Sequence, residues 1–158
     1  MKITTFVVSA AFALALSGCA TEPKAPPATV TCKPPPTELE THDIQEGTGD
    51  TVRFRSAILV SYTGWLYDGC AKDLKGTKFD TSEGKPTPFG FIVGAGRVIR
   101  GWDQGIIGMK EGGKRLLVIP SAMGYGEKGA GEKIPPNSAL VFEVQVLKIL
   151  QQPSPQAQ

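Results

Sequence analysis

Residues 140–147 read Leu-Val-Phe-Glu-Val-Gln-Val-Leu. Leu140, Phe142, Val144 and Val146 share one face of an extended chain, and Val141, Glu143, Gln145 and Leu147 share the other. That alternation makes a strand with one face toward a core. Upstream the period changes: Ile99, Trp102, Ile106 and Met109 recur at steps of three and four, the spacing of one helical face. Gly101, Gly105 and Gly108 weaken that helix, which predicts a short one held by packing on a sheet. Further strands are expected at Phe54–Tyr62, where Phe54, Ser56, Ile58, Val60 and Tyr62 share a face, at Phe89–Val93 and at Lys114–Ile119. Tyr67-Asp68-Gly69 is expected to open a polar loop running to Lys78. A sheet with alternating faces and one helix laid across it is an α+β domain.

The 158 residues allow one domain and leave little room for a second. With 41% hydrophobic and 20% charged residues the composition is that of a globular protein, while 19 Gly and 13 Pro exclude a long helix or coiled coil. Lys and Arg number 17 against 15 Asp and Glu. Because the first eighteen residues hold one base, Lys2, and no acid, the remainder carries about +1, too little to attract nucleic acid. One His and three scattered Cys offer no metal-ligand cluster.

Residues 1–18 read as an export signal. Lys2 precedes an apolar run from Phe6 to Leu16, which is shorter than the ~20 residues of a membrane-spanning helix. The run ends in Leu16-Ser17-Gly18-Cys19, which resembles the bacterial lipoprotein processing box. In that family the Cys becomes the first mature residue and carries acyl chains, enough for stable attachment. An ordinary signal peptide with Cys19 in its cleavage region is the alternative. By resemblance to sorted lipoproteins, Ala20 after the Cys favours the outer membrane; its periplasmic face is the expected location, although Ala20 does not distinguish it from the exterior. Residues 19–37, with Pro23, Pro26, Pro27, Pro34, Pro35 and Pro36, read as an extended tether of roughly 50 Å. The folded domain is expected over 38–150, and the Gln- and Pro-rich 151–158 as a frayed tail. With Cys19 acylated, Cys32 and Cys70 remain: either a disulfide from the tether to a loop of the domain, or two free thiols.

Gly124-Tyr125-Gly126-Glu127-Lys128-Gly129 has the spacing of a dinucleotide-binding turn. That turn needs a helix after it to face the pyrophosphate, and Ala130-Gly131-Glu132-Lys133-Ile134-Pro135-Pro136 cannot start a long one. A glycine-rich loop at a pocket edge is the better reading.

Five segments in order carry a family resemblance: Tyr62-Thr63-Gly64, Lys78-Phe79-Asp80, Val98-Ile99-Arg100-Gly101-Trp102, Tyr125-Gly126, and Ile134-Pro135-Pro136 before Leu140-Val141-Phe142. Together they resemble the FKBP-type peptidyl-prolyl cis-trans isomerases over about Asp43–Leu150. The resemblance implies a twisted antiparallel sheet of five or six strands around one short helix. It also implies a pocket with Trp102 as floor under a proline ring and Tyr62, Phe79, Phe89 and Phe142 as walls, with Val98 and Ile134 beside them. The N–H of Ile99 and the hydroxyl of Tyr125 would hold substrate carbonyls, and Asp80 would organise the neighbouring hydroxyls. Partners implied are proline-containing polypeptide segments and the macrolides tacrolimus and rapamycin, bound by a monomer without cofactor or metal. Lys85 stands where better-known members often carry Arg, so a forked contact to Asp80 becomes a point contact. Ala130 and Lys133 also depart from the pattern at the pocket rim. Taken singly, each aromatic is more often core than ligand site. Six of the ten aromatics beyond residue 18 nevertheless fall on family pocket positions. A groove that only held Pro-containing segments would not need Asp80, Trp102 and Tyr125 intact, so their presence favours an enzyme over a binding module or a passive envelope lipoprotein.

Overall fold

The computed structural model of the chain describes residues 31–151. Six strands, β1 (Glu40–Gln45), β2 (Ala57–Tyr67), β3 (Lys75–Thr81), β4 (Phe89–Ile92), β5 (Lys114–Ile119) and β6 (Leu140–Gln151), form one antiparallel sheet. Its order is β1-β5-β6-β2-β3, with β4 also paired to β2. One α-helix, α1 (Arg100–Gly105), follows β4, and two single 3₁₀ turns, Ser121–Met123 and Gly126–Lys128, follow β5. The expected α+β sheet with one short helix is therefore the observed fold. No helix among the described residues is long and apolar enough to cross a membrane.

The alternation in β6 does what its pattern requires. Leu140, Phe142, Val144 and Val146 are buried and pack with Ile58, Val60, Leu117, Ile119, the helix residue Trp102 and Ile106 just after the helix. Val141, assigned to the outer face, is fully buried as well, so the start of β6 is covered on both sides. The helical glycines have a second role beyond limiting helix length. A Cβ on Gly101 would stand 2.5 Å from the Ile119 side chain, and one on Gly105 would stand 2.8 Å from Leu117. Bare backbone at these two points is what lets α1 lie directly on β5, where a side chain would force the layers apart.

The strand expected from Phe54 begins three residues later. Arg55 has φ +68°, a left-handed turn conformation that ends strand pairing, and Phe54 is 56% exposed. Its ring occupies the space a side chain at Gly94 would need, since a Cβ there would lie 2.1 Å from it. Lys75–Thr81 pairs with β2 as β3, where a loop to Lys78 was expected. Phe89–Ile92 ends one residue short of Val93, and β6 runs to Gln151, one residue past the expected domain end. β1 was not expected at all.

Cys32 and Cys70 are joined in a disulfide. The segment after Cys32 lies on the β2–β3 hairpin. Lys33 donates its N–H to the Gly69 carbonyl at 2.8 Å, and the Tyr67 hydroxyl donates to the carbonyls of Lys33 and Pro34. From there residues 33–39 cross the end of the sheet to β1, Leu39 packs against the core, and Lys33 Nζ meets Glu40 at 2.9 Å. Residues 1–30, including Cys19, and residues 152–158 lie outside the described residues.

Candidate active site

The core residue Trp102 projects from the first turn of α1 toward β2 and β6, and aromatic rings meet it edge-on. Tyr62 lies 5.0 Å from it between centroids, Phe142 5.2 Å and Phe89 6.0 Å, each within about 11° of perpendicular. Phe79 packs on Phe142 at 5.4 Å. Edge-to-face packing leaves the faces and edges of these rings as the walls of a concavity instead of closing it. Gly64 makes room for the arrangement, because a Cβ there would stand 2.6 Å from Phe142 and 2.8 Å from Phe79. The resulting pocket, about 160 Å³, is lined by Tyr62, Phe79, Asp80, Phe89, Arg97, Val98, Ile99, Trp102, Tyr125 and Phe142.

Nine of the ten residues selected from the sequence thus converge on one cavity. Ile134 does not line it; buried at 5% exposure, it lines a neighbouring hollow with Phe79, Asp80, Tyr125, Ala130 and Lys133. Two residues escaped sequence reading. Arg97 lines the pocket directly, and its only sequence signal is its place before Val98-Ile99. Phe91, 5.7 Å from Trp102, supports the floor from beneath and reads in sequence as one more strand aromatic.

Consecutive strand residues point to opposite faces, yet Phe79 and Asp80 both reach the pocket. Asp80 pairs with Gly64 and Lys78 with Trp65, so Phe79 is the extra residue of a register shift. Such a bulge re-aims a side chain without ending the ladder. Ser82, just beyond β3, fixes the opposite wall: its hydroxyl accepts the Tyr62 N–H at 2.8 Å.

Asp80 is held by three donors. Its carboxylate accepts the Tyr62 hydroxyl at 2.6 Å, the Thr81 N–H at 2.8 Å and Lys85 Nζ at 3.3 Å. Burial pushes the Asp80 carboxyl up, but these hydrogen bonds and the Lys85 charge outweigh it and hold it below the usual carboxylate range. The same pair raises the Tyr62 hydroxyl well above an ordinary phenol, through burial first and the Asp80 hydrogen bond second. Burial, then the Asp80 charge, raises Tyr125. Lys85 makes the single contact expected of it; with both partners about half exposed it adds little stability.

Several donors of the lining residues are unengaged, Trp102 Nε1 among them, and two of these were selected from the sequence. Neither the N–H of Ile99 nor the hydroxyl of Tyr125 makes a hydrogen bond among the described residues. The loop after Tyr125 turns through positive φ at Gly126, Gly129 and Gly131 and forms the rim, with no helix following it.

A cavity of this size, with six aromatic side chains in its lining and spare donors at its edge, suits one small apolar ring and the amides on either side of it. That is the class of site that handles a single residue of an extended peptide. The family model for FKBP-type peptidyl-prolyl cis-trans isomerase matches residues 48–147, and the chain belongs to that family. It is a peptidyl-prolyl cis-trans isomerase. It is 51% identical over 107 residues to an FK506-binding protein of Neisseria meningitidis serogroup A, covering 68% of this chain and 92% of that one. It is 57% identical over 88 residues to the human peptidyl-prolyl cis-trans isomerase FKBP2, covering 56% and 57% respectively. The crystal structure of FkpA from Escherichia coli superposes with a TM-score of 0.61 at 35% identity, over 75% of this chain and 50% of that one. AtFKBP13 gives the same TM-score at 36% identity, over 73% and 95%.

Proposed function

We propose that the chain isomerises X-Pro bonds in exported proteins while anchored through acylated Cys19 to the bacterial envelope, as a monomer on the periplasmic face of the outer membrane. The observation that carries the catalytic part is the convergence of nine sequence-selected residues on one cavity where the Ile99 N–H and the Tyr125 hydroxyl are unengaged. The anchoring part rests on Leu16-Ser17-Gly18-Cys19 and the proline-rich segment after it.

An X-Pro bond turns over in tens to hundreds of seconds because rotation must break amide conjugation, against a barrier of ~18–20 kcal/mol. In the twisted transition state the conjugation and part of the amide dipole are gone. The twisted amide therefore loses less than the planar one on leaving water, and a cavity that replaces water with ring edges favours it. In this reading Trp102 lies under the proline ring, with Tyr62, Phe79, Phe89, Val98 and Phe142 around it. The Ile99 N–H and Tyr125 hydroxyl hold carbonyls of the flanking chain, so rotation proceeds between fixed ends. Asp80 is the anchor for Tyr62: ionised and triply bonded, it orients the hydroxyl side of the cavity and takes no proton. Ile134 shapes the adjoining hollow from below. The chemistry needs no nucleophile and no proton transfer. Relatives named for binding FK506 support the further proposal that tacrolimus and rapamycin occupy this cavity and compete with substrate.

A protease-coupled assay on a Pro-containing tetrapeptide is expected to show acceleration that tacrolimus abolishes. Acceleration insensitive to tacrolimus would remove the ligand proposal. For the anchor, Cys19→Ala is expected to move the protein from the membrane fraction to the soluble fraction; wild-type amounts in membranes would refute acylation at Cys19.

A further inference from the structure

The wall of the pocket between β4 and α1 is a loop held at few points: the Phe54 ring covers Gly94, and the Ala95 N–H donates to the Ile92 carbonyl at 3.3 Å. Gly94-Ala95-Gly96 begins it, with φ +77° at Gly94 and +67° at Gly96, and Arg97-Val98-Ile99 ends it at the cavity. Two glycines within three residues give such a segment unusual freedom. One polar side chain ties it to α1. The Asp103 carboxylate, in the first turn of α1, accepts the Gly94 N–H at 2.8 Å through one oxygen and the Gly96 N–H at 3.0 Å through the other. Asp103 also donates its own N–H to the Ile99 carbonyl, alongside Trp102. One residue thus clamps both ends of the loop, its start through the side chain and its end through the backbone. Asp103 does not line the cavity and has no cationic partner among the described residues. Nothing in the site already described accounts for a half-buried carboxylate there.

We infer that Asp103 is a positioning residue for the isomerase reaction: by holding Gly94 and Gly96 it fixes the direction of the Ile99 N–H at the cavity edge. The inference rests on the reading that this N–H holds a substrate carbonyl. A backbone donor is useful only if its direction is set before substrate arrives, because ordering the loop on binding would be subtracted from affinity. A carboxylate with two oxygens suits the task, since each oxygen takes one of two amides that would otherwise be left unpaired.

The test uses the full chain with Asp103→Ala, Asp103→Asn and Asp103→Glu, measuring kcat and KM separately and amide hydrogen exchange by NMR. A carbonyl held equally in ground and transition states affects KM, so Asp103→Ala is expected to raise KM about tenfold and leave kcat within about twofold. Gly94 and Gly96 amides should exchange at least ~10-fold faster, with β5 and β6 amides unchanged. Asp103→Asn, which keeps one oxygen acceptor, should fall between, and Asp103→Glu should recover part of the loss. A lowered melting temperature with KM unchanged would reduce Asp103 to a structural residue and overturn the inference, as would faster exchange without a change in KM. If the alanine variant does not fold, the asparagine variant decides on the same readouts. Trp102→Leu is the control. Full activity in that variant would overturn the pocket reading and this inference with it. Lost activity there, with KM unmoved by Asp103→Ala, would overturn the positioning role alone.

Discussion

β6 has two unlike flanks. Against β5 its register runs unbroken from Lys114↔Gln145 to Ile119↔Leu140. Against β2 it shifts twice, and β2 shifts twice more against β3. The regular flank encloses Leu117, Val118 and Ile119 completely; on the far side of β2, the β2–β3 shift between Gly64 and Trp65 turns Phe79 toward the cavity, and β4 leaves Phe89 40% exposed there. A continuous ladder stacks side chains in fixed alternation and closes over them. Bulges turn residues such as Phe79 out of that alternation and toward the cavity. Core and site thus share β6: Val144 and Val146 lie in the core between β5 and β2, and Phe142 reaches the cavity.

The sharpest way to break this division is at Trp102, where the two flanks meet. Trp102→Ala is expected to cost roughly 3–5 kcal/mol of stability in urea unfolding. Among molecules that remain folded, catalytic efficiency should fall by far more than in Tyr125→Phe, which deletes one hydrogen bond worth ~1 kcal/mol. Equal losses in the two variants would mean the floor does not exclude water. Next comes the paired change Cys32→Ala with Cys70→Ala, which opens a 38-residue separation and should lower stability by roughly 3–4 kcal/mol. That end of the sheet lies away from the cavity, so kcat/KM of the folded protein should hold; a change would show that the irregular flank depends on the hairpin. Gly64→Ala touches only the bulged flank. With Phe79 and Phe142 in its way it is expected to cost ~1–3 kcal/mol and to weaken tacrolimus affinity by calorimetry.

The smallest effect expected is that of pH on rate. Asp80 is held below the usual carboxylate range, and Tyr62 and Tyr125 above the usual phenol, so none of the three titrates between about 6 and 8. The rate should be flat there; a bell centred near neutrality would mean proton transfer takes part. Stability, in contrast, should fall in acid. The Arg115 hydrogen bond holds Asp43 low; burial raises Glu143, but Lys114 and Lys75 outweigh it. Groups with lowered folded values contribute fully above the unfolded range, near 4, and lose that contribution as pH falls through the folded values. Urea midpoints measured from pH 6 down to 3 check this.

The two flanks also differ in how far the sequence discloses them. β6 is legible because Leu140, Phe142, Val144 and Val146 recur at every second residue, and β5 because Leu116-Leu117-Val118-Ile119 is a short continuous apolar run, the form of a strand buried on both faces. β1, Glu-Thr-His-Asp-Ile-Gln, is an edge strand with five of six residues exposed, so its sequence has no face to alternate. β3 buries only Phe79, and its bulge breaks what period remains. The site was legible through residue type, since large aromatics beside Asp80 and Ile99 form a joint pattern that spacing preserves. Arg97 and Asp103 were not, because one exposed base and one helix acid look like any others until the loop between them is folded. The disulfide could not be decided from sequence, because two cysteines 38 residues apart do not disclose the distance between their Cα atoms, which is 4.3 Å.

The segment that crosses the sheet end has a mechanical consequence. β1 is bonded on one side only, and a pull on the chain before it would peel it from β5 one residue at a time, the direction in which strands resist least. Cys32 intercepts that pull. Tension arriving from residues ahead of it passes through the covalent bond into Cys70 and the β2–β3 hairpin. β2 is the strand most widely paired, with β3, β4 and β6 all bonded to it, so the load is shared across ladders that must slide together rather than open singly. Anything that tugs the domain by its front end loads the middle of the sheet and leaves its weakest edge slack.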